Sequence, residues 1–274
     1  MILRTIATAF QFLTIIPIRT NREVSEKEVH DSVSFFPLIG ALQGLFLAFF
    51  AFLFLKIMSA DITAAVVLVS YLLMTGGFHQ DGLSDTFDAL SVPSSGDREK
   101  DRVKRLQVMK DSTVGPIGVI AIFFSLLLKY ILMREILQIN DSGEKYFILF
   151  LMPIFSKWAM VTGMYHAKSA RKDGIGRTFL EHTGLKQILF ATALLLLLTF
   201  ALFYAFHYFL PFLFRWSIEF FTLFFFSEMV VICLACLILK YISTARFGGL
   251  TGDNFGAMHE ISEVLFLTVA LLWR

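Results

Sequence analysis

Residues 188–210 contain no Asp, Glu, Lys or Arg, and neither do residues 38–55. Runs of that length either lie inside a large core or cross a bilayer, whose core of about 30 Å takes roughly 20 apolar residues as one helix. Composition decides between the two. Of 274 residues, 57% are hydrophobic, 32 are Phe and only 17% are charged, against about 25% charged in a soluble domain. Too little polar sequence remains to cover a water-facing surface, so lipid must be the solvent for most of the chain. A soluble enzyme, a disordered chain and a fibrous repeat are excluded. The net charge of +2 gives no global attraction for nucleic acid, and none is expected as a partner.

Windows of the right length predict an all-α, polytopic integral membrane helix bundle, one domain over residues 1–274. Its seven transmembrane helices are expected at 38–55, 62–78, 114–133, 146–164, 188–210, 218–239 and 261–273. The second and last are short for a bilayer. Residues 6–16 are apolar but too few to span, which predicts an N-terminal interfacial helix. No A-x-A-like cleavage site accompanies them, so a removed signal peptide is not expected.

Basic residues mark the cytoplasmic side. They crowd the N-terminal segment (Arg4, Arg19, Arg22, Lys27), the connection 79–113 (Arg98, Lys100, Arg102, Lys104, Arg105, Lys110) and the connection 165–187 (Lys168, Arg171, Lys172, Arg177, Lys186), with Lys240 and Arg246 before the last span. The other side holds Lys56, Arg134, Lys145, Arg215 and Arg274. The expected N-terminus is therefore cytoplasmic and the C-terminus outside.

Cys233 and Cys236 form a C-x-x-C string inside an apolar stretch without a second ligand pair, and read as packing residues. Lys157 and Glu228 fall near the middle of the fourth and sixth spans, each costing on the order of 3 kcal/mol to insert alone. A buried ion pair between them is the expectation, ahead of an ion pathway.

Three strings on the basic side carry Gly and acids together. In 75–90, Asp81, Asp85 and Asp88 recur at i, i+4 and i+7, one face of a helix. Like charges so arranged are either solvated at an acidic helix start or neutralised by a hard divalent cation such as Mg²⁺ or Mn²⁺. The string 105–118 opens a membrane helix. Asp111 or Ser112 is placed to cap it with Pro116 in its first turn; alternatively Gly115 and Gly118 admit an anion, with Arg105 and Lys110 supplying positive charge. In 247–263, Asp253, Gly256, Glu260 and Glu263 share one face entering the last span. A helix cap explains Asp253, but not two acids running on into lipid.

Carboxylates for a metal, glycines at helix starts and interspersed Arg and Lys are the parts of a phosphoryl-transfer site at a membrane surface. GxxxxGK[ST], G-x-S-x-G and HExxH strings are absent, which disfavours a nucleotide-driven pump, a hydrolase and a metalloprotease.

In order and spacing these strings resemble the adenosylcobinamide-GDP ribazoletransferase (cobalamin synthase) family of the bacterial inner membrane, nearly end to end. The matching strings are Phe12-Leu13-Thr14-Ile15-Ile16-Pro17, Phe36-Pro37-Leu38-Ile39-Gly40, Gly77-x-His79-x-Asp81-Gly82-x-x-Asp85-x-x-Asp88, Met109-Lys110-Asp111-Ser112-x-x-Gly115-x-x-Gly118, Ala170-Arg171-x-x-Gly174-x-Gly176, and Thr251-Gly252-Asp253-x-x-Gly256-Ala257 followed by Glu260 and Glu263. Ala89 stands where the family often has Gly.

The resemblance implies a multi-pass enzyme of the inner membrane with its site facing the cytoplasm. It would join adenosylcobinamide-GDP to α-ribazole or its 5′-phosphate in an Mg²⁺-dependent reaction, giving adenosylcobalamin or its 5′-phosphate and GMP; oligomerisation is left open. On that reading Asp81, Asp85, Asp88, Asp253 and Glu260 are metal-ligand candidates. Asp111 or Asp253 is a further ligand or the base, and His79 an acid, base or supporting residue. Arg105, Lys110 and Arg246 would contact phosphates, with Gly82 and Gly115 beside them. Two rival readings fit less well. A CDP-alcohol phosphotransferase needs D-x-x-D-G-x-x-A-R, yet Leu83, Ser84 and Asp85 follow Asp81-Gly82; a transporter would place its site at the midplane.

Overall fold

The computed structural model describes residues 2–18, 24–139, 143–209 and 214–273, with the side chains of Ile175 and His182 left aside. Arg19, Arg22, Arg274 and the Leu210 end of the fifth expected span lie outside them. Among the described residues the fold is all-α. In chain order the helices are α1 (Ile2–Leu13), α2 (Glu26–Ser32), α3 (Phe36–Phe54), α4 (Ala60–Thr75), α5 (Phe78–Ser91), α6 (Arg98–Val108), α7 (Pro116–Leu137), α8 (Glu144–Met164), α9 (Ile175–His182), α10 (Leu185–Phe209), α11 (Ile218–Phe247) and α12 (Gly252–Leu272). A 3₁₀ turn, Val33–Phe35, joins α2 to α3.

Among the described residues six helical segments are long and apolar enough to cross a membrane, and the pair α4 and α5, bent by 85° at its break, makes a seventh if it is counted as one span. The bend has a local cause. Gly76 and Gly77 both take left-handed conformations, with φ of 68° and 71°, which most L side chains avoid. At 1.5 Å per residue α4 is about 24 Å long, the short crossing expected at 62–78. We take α5 as the segment beyond it. The N-terminal helix is shifted from the expected 6–16: it ends at Leu13, since the Ile15 N–H goes to the Met74 carbonyl (3.0 Å) and Gln43 Nε2 donates to the Leu13 carbonyl (3.0 Å).

At the centre stands α8, 94% buried over its apolar window, while α7, α10 and α11 are mostly exposed toward lipid. The α3–α8 crossing is close because Gly40 and Gly44 face backbone. A Cβ on Gly40 would lie 2.4 Å from the Pro153 carbonyl oxygen, and one on Gly44 2.1 Å from that of Phe150. This is small-xxx-small packing, which lets membrane helices approach without a hydrophobic driving force. Cys236 is buried with its Sγ 3.4 Å from the Ala159 carbonyl oxygen, and both cysteines are free thiols.

The expected Lys157–Glu228 pair is not made. Lys157 contacts His79 and His259, because the face of α8 that carries it packs on α12. Both Glu228 carboxylate oxygens are buried without a hydrogen-bond partner among the described residues.

Candidate active site

The site is built where α5 crosses α12, and two glycines permit the crossing. A Cβ on Gly82 would lie 2.7 Å from the Asp253 carbonyl oxygen; one on Gly256 would lie 2.9 Å from that of His79. The first turns of the two helices therefore meet. Thr251 and Asn254 form a capping box at the start of α12, and Asn254 Nδ2 donates to Thr86 Oγ1 (3.1 Å), tying α12 to α5. Relieved of capping, the Asp253 carboxylate accepts from Arg171 Nη2 (2.9 Å) and Thr251 Oγ1 (3.2 Å). Arg171 is held in place because the Ala170 N–H donates to the Leu250 carbonyl and the Leu250 N–H to the Lys168 carbonyl, both at 2.8 Å.

Beside this crossing lies a cavity of about 440 Å³, lined among others by Phe12, His79, Arg171, Arg177 and Asp253. Asp81 is exposed and Asp85 half-buried at the same end of α5. Burial, then the charges of Asp81 and Asp253, push the Asp85 carboxyl up to about 7; Arg171 opposes them and Asp88 adds to the rise. Arg171 Nε is buried without a hydrogen-bond partner among the described residues, leaving a donor for an oxyanion.

The other expected residues fall elsewhere. Asp88 is buried, and its two oxygens accept from the N–H groups of Gly115 and Gly118, each at 2.7 Å. It caps α7 from another helix, so neither Asp111 nor Ser112 does so, and the anion at that N-terminus is the protein's own. A Cβ on Gly118 would collide with Ser84 Oγ at 2.2 Å. Asp111 is exposed, with its carboxyl held below the usual range by the Thr113 hydroxyl and then the Thr113 N–H. Arg105 is buried and donates to the Val92 carbonyl (3.2 Å), and is not among the residues that line the cavity. Arg246 is exposed in the last turn of α11, and Lys110 reaches Asp173 at 3.4 Å.

Glu260 belongs to a buried network below the cavity. It accepts from Lys129 Nζ (2.7 Å), Ser125 Oγ (2.9 Å) and Gln80 Nε2 (2.9 Å). Glu263 accepts from Lys129, from the Tyr71 hydroxyl (2.6 Å) and from Ser156 Oγ (3.3 Å). His259 Nε2 stands 3.2 Å from Glu263 Oε1, and its ring stacks on that of His79 with centroids 3.9 Å apart. Among the described residues, the three acid or His side chains whose ligand atoms all lie within 4.8 Å are His259, Glu260 and Glu263. Lys129 already bridges the two glutamates. Asp81, Asp85 and Asp253 do not draw that close.

Sequence reasoning did not assign roles to Arg171, Tyr71, Lys129 and His259. Arg171 stood inside a quoted string, and Lys129 was a charge inside an expected span; each was a usable signal. Tyr71 carried none.

The cobalamin-5-phosphate synthase family profile matches residues 5–271. An adenosylcobinamide-GDP ribazoletransferase of Thermodesulfovibrio yellowstonii is 37% identical over 270 residues, covering 96% of this chain and 94% of the relative. One of Desulfitobacterium hafniense is 33% identical over 265 residues, covering 97% and 95%. One of Caldanaerobacter subterraneus is also 33% identical over 265 residues, covering 96% of each. No solved structure matches. A profile match over nearly the whole length, joined to relatives of this identity and coverage, means that the chain belongs to the cobalamin-5-phosphate synthase family.

Proposed function

We propose that this transferase joins adenosylcobinamide-GDP to α-ribazole or its 5′-phosphate with release of GMP. The site faces the cytoplasm from a bacterial inner membrane. The observation that carries the reading is the α5–α12 crossing, which sets Asp253 and Arg171 on one cavity wall and brings Asp85 within reach of the charges of Asp81 and Asp253.

The donor set suits Mg²⁺. Three carboxylates supply hard oxygens, and the Asp85 carboxyl, raised first by burial and then by the charges of Asp81 and Asp253, is one whose ionised form a divalent cation would favour. Asp81, Asp85 and Asp253 would hold the ion. Asp88 and Glu260 are not in this set, since backbone N–H groups and Lys129 already engage them. Bound there, Mg²⁺ supplies neutralisation of the charge that develops on the phosphoryl oxygens.

The chain's own residues do the rest. A ribazole hydroxyl forms a bond to the phosphorus carried by cobinamide while the bond to the GMP phosphate oxygen breaks. Arg171 offers its buried Nε–H to a phosphoryl oxygen, and Arg177, on the same cavity wall, adds a second cation. An aspartate of the trio takes the hydroxyl proton, and His79 faces the reacting group from the cavity floor. GMP release from adenosylcobinamide-GDP and α-ribazole phosphate, with and without Mg²⁺, tests the proposal. Turnover that needs both substrates and the metal supports it; substrate flux into proteoliposomes without GMP release defeats it.

A further inference from the structure

His79 meets the cavity with one ring edge and the buried network with the other. Its Nε2 lies 3.3 Å from Lys157 Nζ, and Lys157 also contacts Nε2 of His259. Lys157 and His259 are buried, on α8 and α12 respectively. The charges fix the direction of these contacts. The network holds two carboxylates, Glu260 and Glu263, and two amines, Lys129 and Lys157; with both amines charged and both imidazoles neutral it balances, as burial away from water demands. An ammonium has donors and no acceptor, so the His79 Nε2 that it faces accepts, and the His79 ring hydrogen sits on Nδ1. His259 has a carboxylate oxygen beside each ring nitrogen, Glu260 Oε1 3.4 Å from Nδ1 and Glu263 Oε1 3.2 Å from Nε2. For His79, Nδ1 is the remaining polar atom of a ring that lines the cavity.

We propose that Lys157 is a positioning residue: seated between His79 and His259, it fixes the His79 ring with its hydrogen on Nδ1, so that the cavity is offered an N–H donor suited to a phosphoryl oxygen. Stacking on His259 keeps the ring from turning over. The inference deepens the proposed function and rests on its placement of His79 at a phosphoryl-transfer site, but its first test needs no substrate.

That test is ¹⁵N NMR of histidine-labelled full-length protein in lipid nanodiscs, with the His79 signals identified among the six histidines by their loss in His79→Gln. The expected spectrum of the unaltered protein shows the His79 hydrogen on Nδ1; finding it on Nε2 overturns the proposal whatever the enzyme turns over. Lys157→Met should move that hydrogen off Nδ1. It should also lower kcat by about 10–100-fold with KM changed less than about threefold, since geometry rather than binding is lost. In the His79→Gln background Lys157→Met should cost nothing further, because the two residues act as one unit. Losses that multiply would assign Lys157 a general structural role and reject the positioning one. Should Lys157→Met not fold, the spectrum of the unaltered protein still decides.

Discussion

The acidic stripe of α12 passes through two environments that treat carboxylates in opposite ways. At its N-terminal end Asp253 lines the cavity and adds its charge to that of Asp81 on Asp85, and Arg171 compensates them only in part. About 10 Å further along the helix axis, seven residues at 1.5 Å each, Glu260 and then Glu263 are closed in by Lys129 and by hydroxyl and amide donors. The same residue types on one helix face thus yield an open site wanting a cation and a sealed network that carries its own. The difference is depth, not spacing. In lipid an unpaired charge is costly, and here the protein supplies a lysine to both glutamates; at the water edge the imbalance survives and is available for ligand.

The comparison breaks most readily at Lys129. Lys129→Met removes the amine that both buried glutamates share and leaves Lys157 as the network's one remaining amine; removing one partner of a buried pair costs about 3–5 kcal/mol. Thermal unfolding in detergent should show a large destabilisation or no recoverable folded protein. Near-normal unfolding would mean that the network is not a charge lattice.

Asp85→Asn should behave the other way round. It removes one of three repelling charges, so stability should hold or rise slightly. GMP release should nevertheless fall by about 10²–10³-fold, the usual cost of deleting a group that stabilises developing charge. Unchanged Mg²⁺-dependent turnover would take Asp85 out of the site.

The depth argument also explains what could be read from the sequence. The six or seven apolar helices were legible because apolar length is a one-dimensional property. Asp81, Asp85 and Asp88 were legible as one helix face, yet the angle around a helix says nothing of which neighbour lies at each level. Asp88 sits about 10 Å beyond Asp81, where it meets the start of α7 rather than the cavity. The Gly76-Gly77 bend fell inside the expected span 62–78, because left-handed glycines bear no mark in the sequence that distinguishes them from helical ones. Lys157 and Glu228 looked like partners by depth alone, and packing sent Lys157 to α5 and α12 instead.

Asp88→Asn tests that assignment. The amide can accept one of the Gly115 and Gly118 N–H groups, but its NH₂ turns a donor toward the other. Losing a charge-assisted bond at a helix N-terminus costs about 1.5–3 kcal/mol, so thermal unfolding should fall moderately. Turnover per folded molecule should change far less than in Asp85→Asn. If it falls equally, Asp88 acts in the reaction as well.

With Asp85 titrating at about 7, the sign of the metal dependence follows. A raised carboxyl is protonated below that value, and the ion must displace the proton to bind. Apparent Mg²⁺ affinity should therefore weaken by up to about tenfold per unit as pH falls below 7, and level off above about 8. In Asp85→Asn this slope should vanish from that window. A flat profile in the unaltered protein would separate Asp85 from the metal.

Arg246 sharpens the comparison by its smallness. Sequence placed it among the phosphate contacts, whereas the structure leaves it exposed on the last turn of α11 and outside the cavity wall, which holds Arg171 and Arg177. An exposed cation so placed acts on an anionic substrate only through a field screened within about 8–10 Å at ordinary salt. Arg246→Ala should leave kcat unchanged and raise KM for adenosylcobinamide-GDP by no more than about twofold at low salt, an effect that added salt removes. Arg171→Ala should instead lower kcat at every ionic strength, because its donor sits where solvent ions do not screen. Equal responses of the two arginines to salt would mean that position relative to the cavity does not separate catalytic from steering charge, and the division drawn along α12 would lose its counterpart at the rim of the cavity.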